Sequence, residues 1–594
     1  MEDKNVKQIV YQVFTRLFGN TNAANRPWGT IAENGVGKFN DFTDVALQAI
    51  KELGVSHIWY TGVPHHAVIN DYTAFGISND DPAVVKGRAG SPYAVKDYYQ
   101  VNPDLAVDPA NRMAEFEALI ARTHANGMKV IIDIVPNHVA RKYEGLNNPP
   151  GVTDFGDGDD TSLAYAKNNN FYYIPGEDFK TPNWRYGYEP LGGEKLETTD
   201  GKLIESPAKW TGNGSRNAQP DFNDWYETVK INYGVRPDGQ KDFPELPAGF
   251  EHENYKKHFE FWSDKDLPDS WYKFRDIALF WLSKGVDGFR FDMAEMVPVE
   301  FWSFMNSSIK MQNPDAFLLA EVYNPALYRD YIFKGKMDYL YDKVELYDTL
   351  KAVMQGHGST DHIAPIILSQ DDIELNMLHF LENHDEQRIA SPDFAGASAK
   401  GKPAMVLRAT ITTSPVMLYF GQEVGEAAEE NAGFGSPTRT SIFDYIGVPA
   451  HQRWMNEGKF DGGQSTEEEK ELRDFYRRLL AFTSQSKALT GDYKDIHAHN
   501  RYNTEWYNDK VYSFARWKDD EKLVIISNFD AHDIFGFELQ LPHELVQAWN
   551  LENTEYLFED QLYQRFTSKM TVNDSLGFMR IDIKPLESFI LKLK

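Results

Sequence analysis

Cysteine is absent from the 594 residues, and with it go disulfides, zinc–thiolate sites, iron–sulfur clusters and thiol nucleophiles. Catalysis in this chain has to use carboxylates, histidines, hydroxyls or lysines. Positive charge is also scarce: 61 lysines and arginines face 89 aspartates and glutamates, a formal net charge of −28. Such a surface repels phosphate backbones and anionic lipid, so no nucleic acid and no membrane surface is the expected partner. No run of about 18 apolar residues occurs, so no transmembrane helix is expected. The first residues, MEDKNVKQIVYQVF, lack the basic and apolar regions of a signal peptide. A complete lack of cysteine in so long a chain suits an exported protein whose signal has been removed, with a cytoplasmic chain as the alternative. The sequence also lacks internal repeats and low-complexity tracts.

Hydrophobic residues make up 42% of the chain and aromatics 14%, enough for a large buried core. One core seldom grows past ~250–300 residues, so a large domain with insertions or satellites is expected. Short β-branched or aromatic runs alternate with segments of helical period. Residues 8–14 (QIVYQVF) and 55–61 read as strands. Between them Phe42, Val45, Ala46, Ala49, Ile50 and Leu53 fall at helix spacing, stopped by Gly54. A helix through Phe116, Leu119 and Ile120 precedes 129–135 (KVIIDIV), an apolar run of the kind found in strands buried on both faces. A helix over 270–284 and strands near 288–293, 317–322, 339–341, 377–381 and 416–420 complete eight βα units. That pattern predicts an α/β TIM (β/α)8 barrel, with an open doubly wound sheet as the alternative.

Two stretches break the alternation. Residues 139–268 are rich in Gly, Pro, Asn, Asp and Tyr with little helix period, which marks an insertion (domain B) after the third strand. The barrel then spans 1–138 and 269–490. Residues 491–594 contain short alternating runs (VYSFARW, KLVIISNF, FGFELQL, FMRIDI, SFILKL) and predict a C-terminal antiparallel β-sandwich. The acidic run Glu467 to Glu469 reads as a helix start.

Barrel chemistry collects at the C-terminal ends of the strands. Standing there are Asp133, Asn137 and His138 after the third strand, Arg290 and Asp292 at the fourth, Glu321 at the fifth, and His384 with Asp385 after the seventh. One such carboxylate could be a helix cap or the partner of a barrel arginine. Four together are unfavourable to bury unless arginine and hydrogen-bond donors compensate, and such crowding separates pKa values for acid–base work. Paired carboxylates flanked by aromatics point to glycosidic bond cleavage.

These residues lie in motifs that resemble the α-amylase family, glycoside hydrolase family 13, in the family's order. They are DIVPNH (133–138), QPDFN (219–223), GFRFD (288–292), AEVY (320–323), FLENHD (380–385) and GQEVG (421–425). The resemblance implies a retaining α-glucan hydrolase acting on starch-like polysaccharide or malto-oligosaccharides. Asp292 would be the nucleophile, with Arg290 on the same strand face beside it. Glu321 would be the general acid and then the base, and Asp385 would bind the sugar's 2- and 3-hydroxyls. His138 and His384 would donate hydrogen bonds to the same sugar, and Tyr93 would be its stacking platform. Retention implies Asp292 and Glu321 roughly 5–5.5 Å apart. No cofactor enters this chemistry. A transglycosylase or an oligosaccharide α-glucosidase would use the same machinery, and a non-catalytic glucan-binding relative would lack these carboxylates.

The pattern departs from the family in places. Many α-amylases hold a structural calcium through the asparagine of the first motif, an aspartate of the QPDFN motif, and a histidine four residues after the nucleophile. Asn137 and Asp221 are present, but Met296 replaces the histidine, and a thioether is a poor ligand for a hard cation. Glu295 or a backbone carbonyl is the available substitute. Neither QPDFN nor Met293 settles α-1,4 against α-1,6 preference. Trp184, Tyr186, Tyr188 and Trp210 in the insertion read as staples of a loop-rich subdomain rather than as sugar platforms.

Overall fold

The computed structural model describes residues 6–196, 201–563 and 567–594. Eight parallel strands form the centre: β1 (Ile9–Phe14), β2 (His57–Thr61), β3 (Lys129–Ile134), β4 (Gly288–Phe291), β5 (Phe317–Ala320), β6 (Tyr339–Tyr341), β7 (Met377–Leu378) and β8 (Val416–Tyr419). Their order is β7-β6-β5-β4-β3-β2-β1-β8, and a parallel bridge between His379 and Val416 joins β7 to β8 and closes the ring. Every residue of β1, β2, β4, β5 and β8 is buried, which explains their near-continuous apolar text. Gly288 is required by close approach. A Cβ there would lie 2.2 Å from the Phe317 carbonyl oxygen, where β4 meets β5.

Helices Asp44–Lys51, Arg112–Ala125, Asp269–Ser283, Val299–Gln312, Leu346–Met354, Gly401–Thr410 and Glu467–Thr483 follow the strands. The acidic run does start the last of these. Thr466 Oγ1 accepts from the Glu469 amide at 3.2 Å, and the Glu469 carboxylate accepts from the Thr466 amide at 2.9 Å.

After β3 the chain leaves the barrel. His138–Ala140 pairs antiparallel with Thr228–Lys230, and Tyr173–Ile174 with Ala208–Lys209. One helix, Tyr255–Trp262, stands where little helical period was expected. It buries only His258 and Trp262, too few for an apolar stripe, and both bond to Ser303 Oγ at 2.7 and 2.8 Å. That stretch therefore packs on the barrel helix Val299–Gln312.

The C-terminal region is an eight-stranded antiparallel sheet, curled into a sandwich-like half-barrel. Five of its strands contain the alternating runs noted above. The other three, Asp492–Asp495, Glu555–Asp560 and Thr567–Asn573, carry too many polar residues to stand out. Arg516 joins this sheet to the barrel. Its buried guanidinium donates to the carbonyl oxygens of Ile411 at 2.6 Å, Leu489 at 2.8 Å and Gly491 at 3.0 Å. Replacing it with leucine strands these acceptors, at an expected cost of about 3 kcal/mol. Urea denaturation of Arg516→Leu is expected to show a lower midpoint, with turnover at low temperature unchanged.

Candidate active site

Arg290 organises the site. Parallel register sets it beside Asp133 on β3, and the two-residue period of β4 puts Asp292 on its own face. The fully buried guanidinium donates from Nη1 to Asp292 Oδ1 at 2.7 Å and Asp133 Oδ1 at 3.4 Å, and from Nη2 to Glu321 Oε2 at 3.0 Å. The rings of Trp59, Tyr93 and Tyr341 surround it with centroids 5.4, 5.4 and 5.8 Å away. Burial alone would pull its pKa down; the charges of Glu321 and its other neighbours outweigh that and hold it well above the ordinary value.

The carboxylates respond to the same crowding. Burial pushes Asp133 up to about 7 against the pull of Arg290 and a 2.8 Å bond from Trp59 Nε1. Glu321 is also raised, first by burial and then by the charge of Asp292, while Arg290 and the Met293 amide oppose the shift. That amide reaches Glu321 Oε2 at 2.8 Å because Met293 takes a left-handed conformation, φ 45°. Burial and then the charge of Glu321 push Asp385 up to about 8. Since 40% of its side chain faces the pocket, water there screens part of this push, and a sugar that expels the water strengthens it. Burial lowers His138 to about 4 and His384 well below its usual value, so both rings are neutral at pH 7.

Hydrogen bonds aim these groups. Gln12 Nε2, on β1, donates to Thr61 Oγ1 and to His384 Nδ1, each at 2.9 Å. The proton of the neutral His384 ring then sits on Nε2, which faces Tyr93 Oη at 2.6 Å and Asp385 Oδ2 at 3.1 Å. Asn383 Oδ1 accepts from the amides of Asp385 and Glu386 at 2.9 and 3.0 Å, which turns Asp385 inward. Glu382 is tied to Arg388 Nη1 at 2.8 Å and supports that loop from beneath.

A pocket of about 510 Å³ opens above, lined by Tyr93, His138, Asp292, Glu321 and Asp385. Asp133 and Arg290 form its floor, and His384 supports Tyr93 from the side through ring stacking at 5.2 Å. A hollow of about 600 Å³ beside His357, His362 and Asp509 is larger, but its lining has no Phe, Tyr or Trp. Several residues of the pocket wall were not anticipated: Trp225, Tyr323, Phe443, Lys86, Glu227, Lys343 and Arg439. Trp225 packs on His138 with ring centroids 5.2 Å apart, and its position two residues after QPDFN was the available signal. Gln12 was missed as well, although one polar residue in the apolar run IVYQVF marks it. Trp184, Tyr186, Tyr188 and Trp210 lie outside the pocket lining. Trp184 and Tyr188 cluster with Phe222, Trp210 stacks on Tyr172 at 4.3 Å, and Tyr186 is 88% exposed.

The residues expected at the family's calcium position do not come together. Asn137 Oδ1 accepts from Lys230 Nζ. Asp221 is partly exposed and pairs with Arg185 at 2.6 Å. Glu295 accepts from the amides of Tyr323 and Asn324, both at 3.0 Å. Among the described residues no group of three or more His, Asp or Glu side chains is arranged to hold a metal ion.

The sequence model of the alpha amylase catalytic domain matches residues 12–186 and 250–520, and the chain belongs to that family. Neopullulanase 2 of Thermoactinomyces vulgaris is 21% identical over 559 residues, covering 91% of this chain and 72% of the relative. Alpha-amylase 3 of Dictyoglomus thermophilum is 21% identical over 567 residues, covering 90% and 87%. The solved structure of a maltogenic alpha-amylase from Thermotoga neapolitana superposes with a TM-score of 0.60 at 16% identity, over 100% of this chain and 99% of that one. The chain is thus an amylase-type glycoside hydrolase.

Gln12 reaches the site through His384. Gln12→Leu, which frees the His384 tautomer, is expected to lower kcat/KM about tenfold to a hundredfold while the thermal midpoint falls little. Steady-state kinetics beside a melting curve check this, and Gln12→Glu is expected to disturb the pH profile as well.

Proposed function

We propose that the chain hydrolyses α-glucosidic bonds in starch-like or malto-oligosaccharide chains with retention, through a covalent glycosyl-enzyme. The observation that carries this is the grip of one guanidinium on both Asp292 and Glu321, with Asp385 in the pocket beside them. Two carboxylates held by adjacent nitrogens of the same group favour the closer spacing of a retaining pair over the gap that admits a water between them. An Asp292 carboxylate oxygen attacks the anomeric carbon while Glu321 passes its proton to the departing glycosidic oxygen. Glu321, now ionised, takes a proton from water, and the hydroxyl cleaves the ester to Asp292. The raised pKa of Glu321 suits the first step, because the acid must be protonated before it can act.

His138, neutral and in the pocket lining, can donate to the sugar without adding charge beside a cationic transition state, whereas His384, with Nδ1 accepting from Gln12 and Nε2 facing Tyr93 and Asp385, orients those two groups. Asp385, partly exposed to the pocket, is placed to accept from ring hydroxyls as charge develops. Tyr93, Trp225, Tyr323 and Phe443 supply apolar wall for sugar faces.

Asp292→Asn and Glu321→Gln are each expected to lower kcat on maltoheptaose at least about a thousandfold and, by taking a charge from the Arg290 cluster, to lower the thermal midpoint while the protein stays folded at assay temperature. Proton NMR of the first product is expected to show the α-anomer. Release of the β-anomer first, or an Asp292→Asn protein retaining a tenth of its activity, would overturn the mechanism. The alkaline limb of kcat/KM is expected above the ordinary glutamate range. Glu321 works protonated, so activity is lost as pH rises through its raised pKa.

A further inference from the structure

The insertion meets the barrel beside the pocket, and the chain places an amino group at that seam. Lys230 ends the short strand Thr228–Lys230, and the antiparallel register sets it directly opposite His138. Its side chain is half-buried. Nζ donates to Asn137 Oδ1 and, at 3.2 Å, to the carbonyl oxygen of Met296. Three segments are tied by this one group: the insertion strand, the turn after β3 that carries His138, and the turn after β4 that carries Asp292. Asn137 is held on its other side by a 2.9 Å bond from Nδ2 to the Gly212 carbonyl, so its oxygen faces the lysine.

A calcium ion at this seam would need six to eight oxygen ligands, several of them charged. The seam supplies two uncharged carbonyl oxygens. Asp221 is engaged by Arg185, Glu295 by two backbone amides, and Met296 offers either a soft sulfur or a carbonyl that Lys230 already uses. An amine on a flexible stem asks only for acceptors, and two suffice to fix it. We propose that Lys230, tethered to the chain, does by hydrogen bonding what an exchangeable calcium does between insertion and barrel in calcium-bound α-amylases, and that this protein is calcium-independent. Lys230 is thereby a positioning residue for His138 and the Met293 to Met296 turn.

Two measurements on the full-length protein test this. First, calcium is titrated into wild type that has been dialysed against EGTA, with calorimetry and a melting curve as readouts. No stoichiometric binding at 1 mM calcium and a midpoint shift under about 1 °C are expected. One tightly bound calcium per chain, or a midpoint several degrees higher with calcium than with EGTA, would overturn the proposal whatever the substrate proves to be. Second, Lys230→Met keeps the apolar stem and removes the donors. A lower midpoint and a kcat/KM reduced about tenfold or more are expected. A variant equal to wild type in both midpoint and kinetics would refute the assignment. Should that variant fail to fold, the calcium titration of wild type still decides.

Discussion

A buried arginine among three carboxylates is the constraint on which the rest of the structure depends. Arg290 reaches Asp133, Asp292 and Glu321 with no exposure to solvent, so each charge in the cluster has given up water and can be stable only with the others in place. Two of the carboxylates line the pocket and the third lies under it. Asp133 therefore serves a different purpose from its neighbours. It shares Nη1 with Asp292 at a longer 3.4 Å and is itself held by Trp59 Nε1, so the shorter bonds of the guanidinium go to the two groups that face a substrate. Removing one partner would leave an uncompensated charge in a packed barrel, a heavier penalty than the pair's net contribution.

This cluster also explains why the strands meet as they do. Arg290 faces Asp133 because β4 pairs with β3 in a register that aligns Gly288 with Ile131, and Asp292 follows two residues on. A slip of one residue would send Arg290 to the helix side and place a phenylalanine in the pocket floor. The absent side chain at Gly288 lets β5 come close enough on the other edge for Glu321, the first residue past that strand, to reach the second guanidinium nitrogen. Register, a glycine and an ion cluster are here one device.

Much of this was legible in the residues because barrel chemistry obeys position. Asp133, Asp292, Glu321 and Asp385 stand at strand ends in a recognisable order, and the strands that carry them read as apolar runs. What was not legible depends on three-dimensional partners. Gln12 has no motif, and it matters only because β1 lies beside the loop that bears His384. Trp225 resembles the other aromatics of the insertion until the fold turns it toward His138. The helix Tyr255–Trp262 is hidden because two buried side chains make no periodic stripe. Three C-terminal strands are hidden because one face of each is polar enough to read as loop.

Lys230 belongs to that second group, and the reason is instructive. A lysine in a short β run reads as a solvated edge, which is where most lysines lie. Its partial enclosure follows from its partner across the ladder, His138, whose strand enters the pocket wall. Burial of the amine end pushes its pKa down to about 7, toward the neutral form. Either form donates the two bonds that Asn137 and Met296 accept. A tie made by an exchangeable ion weakens as that ion is diluted, whereas a tethered amine has the same local concentration in every medium. For a seam that sets the position of His138 4.0 Å from Asp292, the tether makes the geometry of the pocket independent of the surroundings.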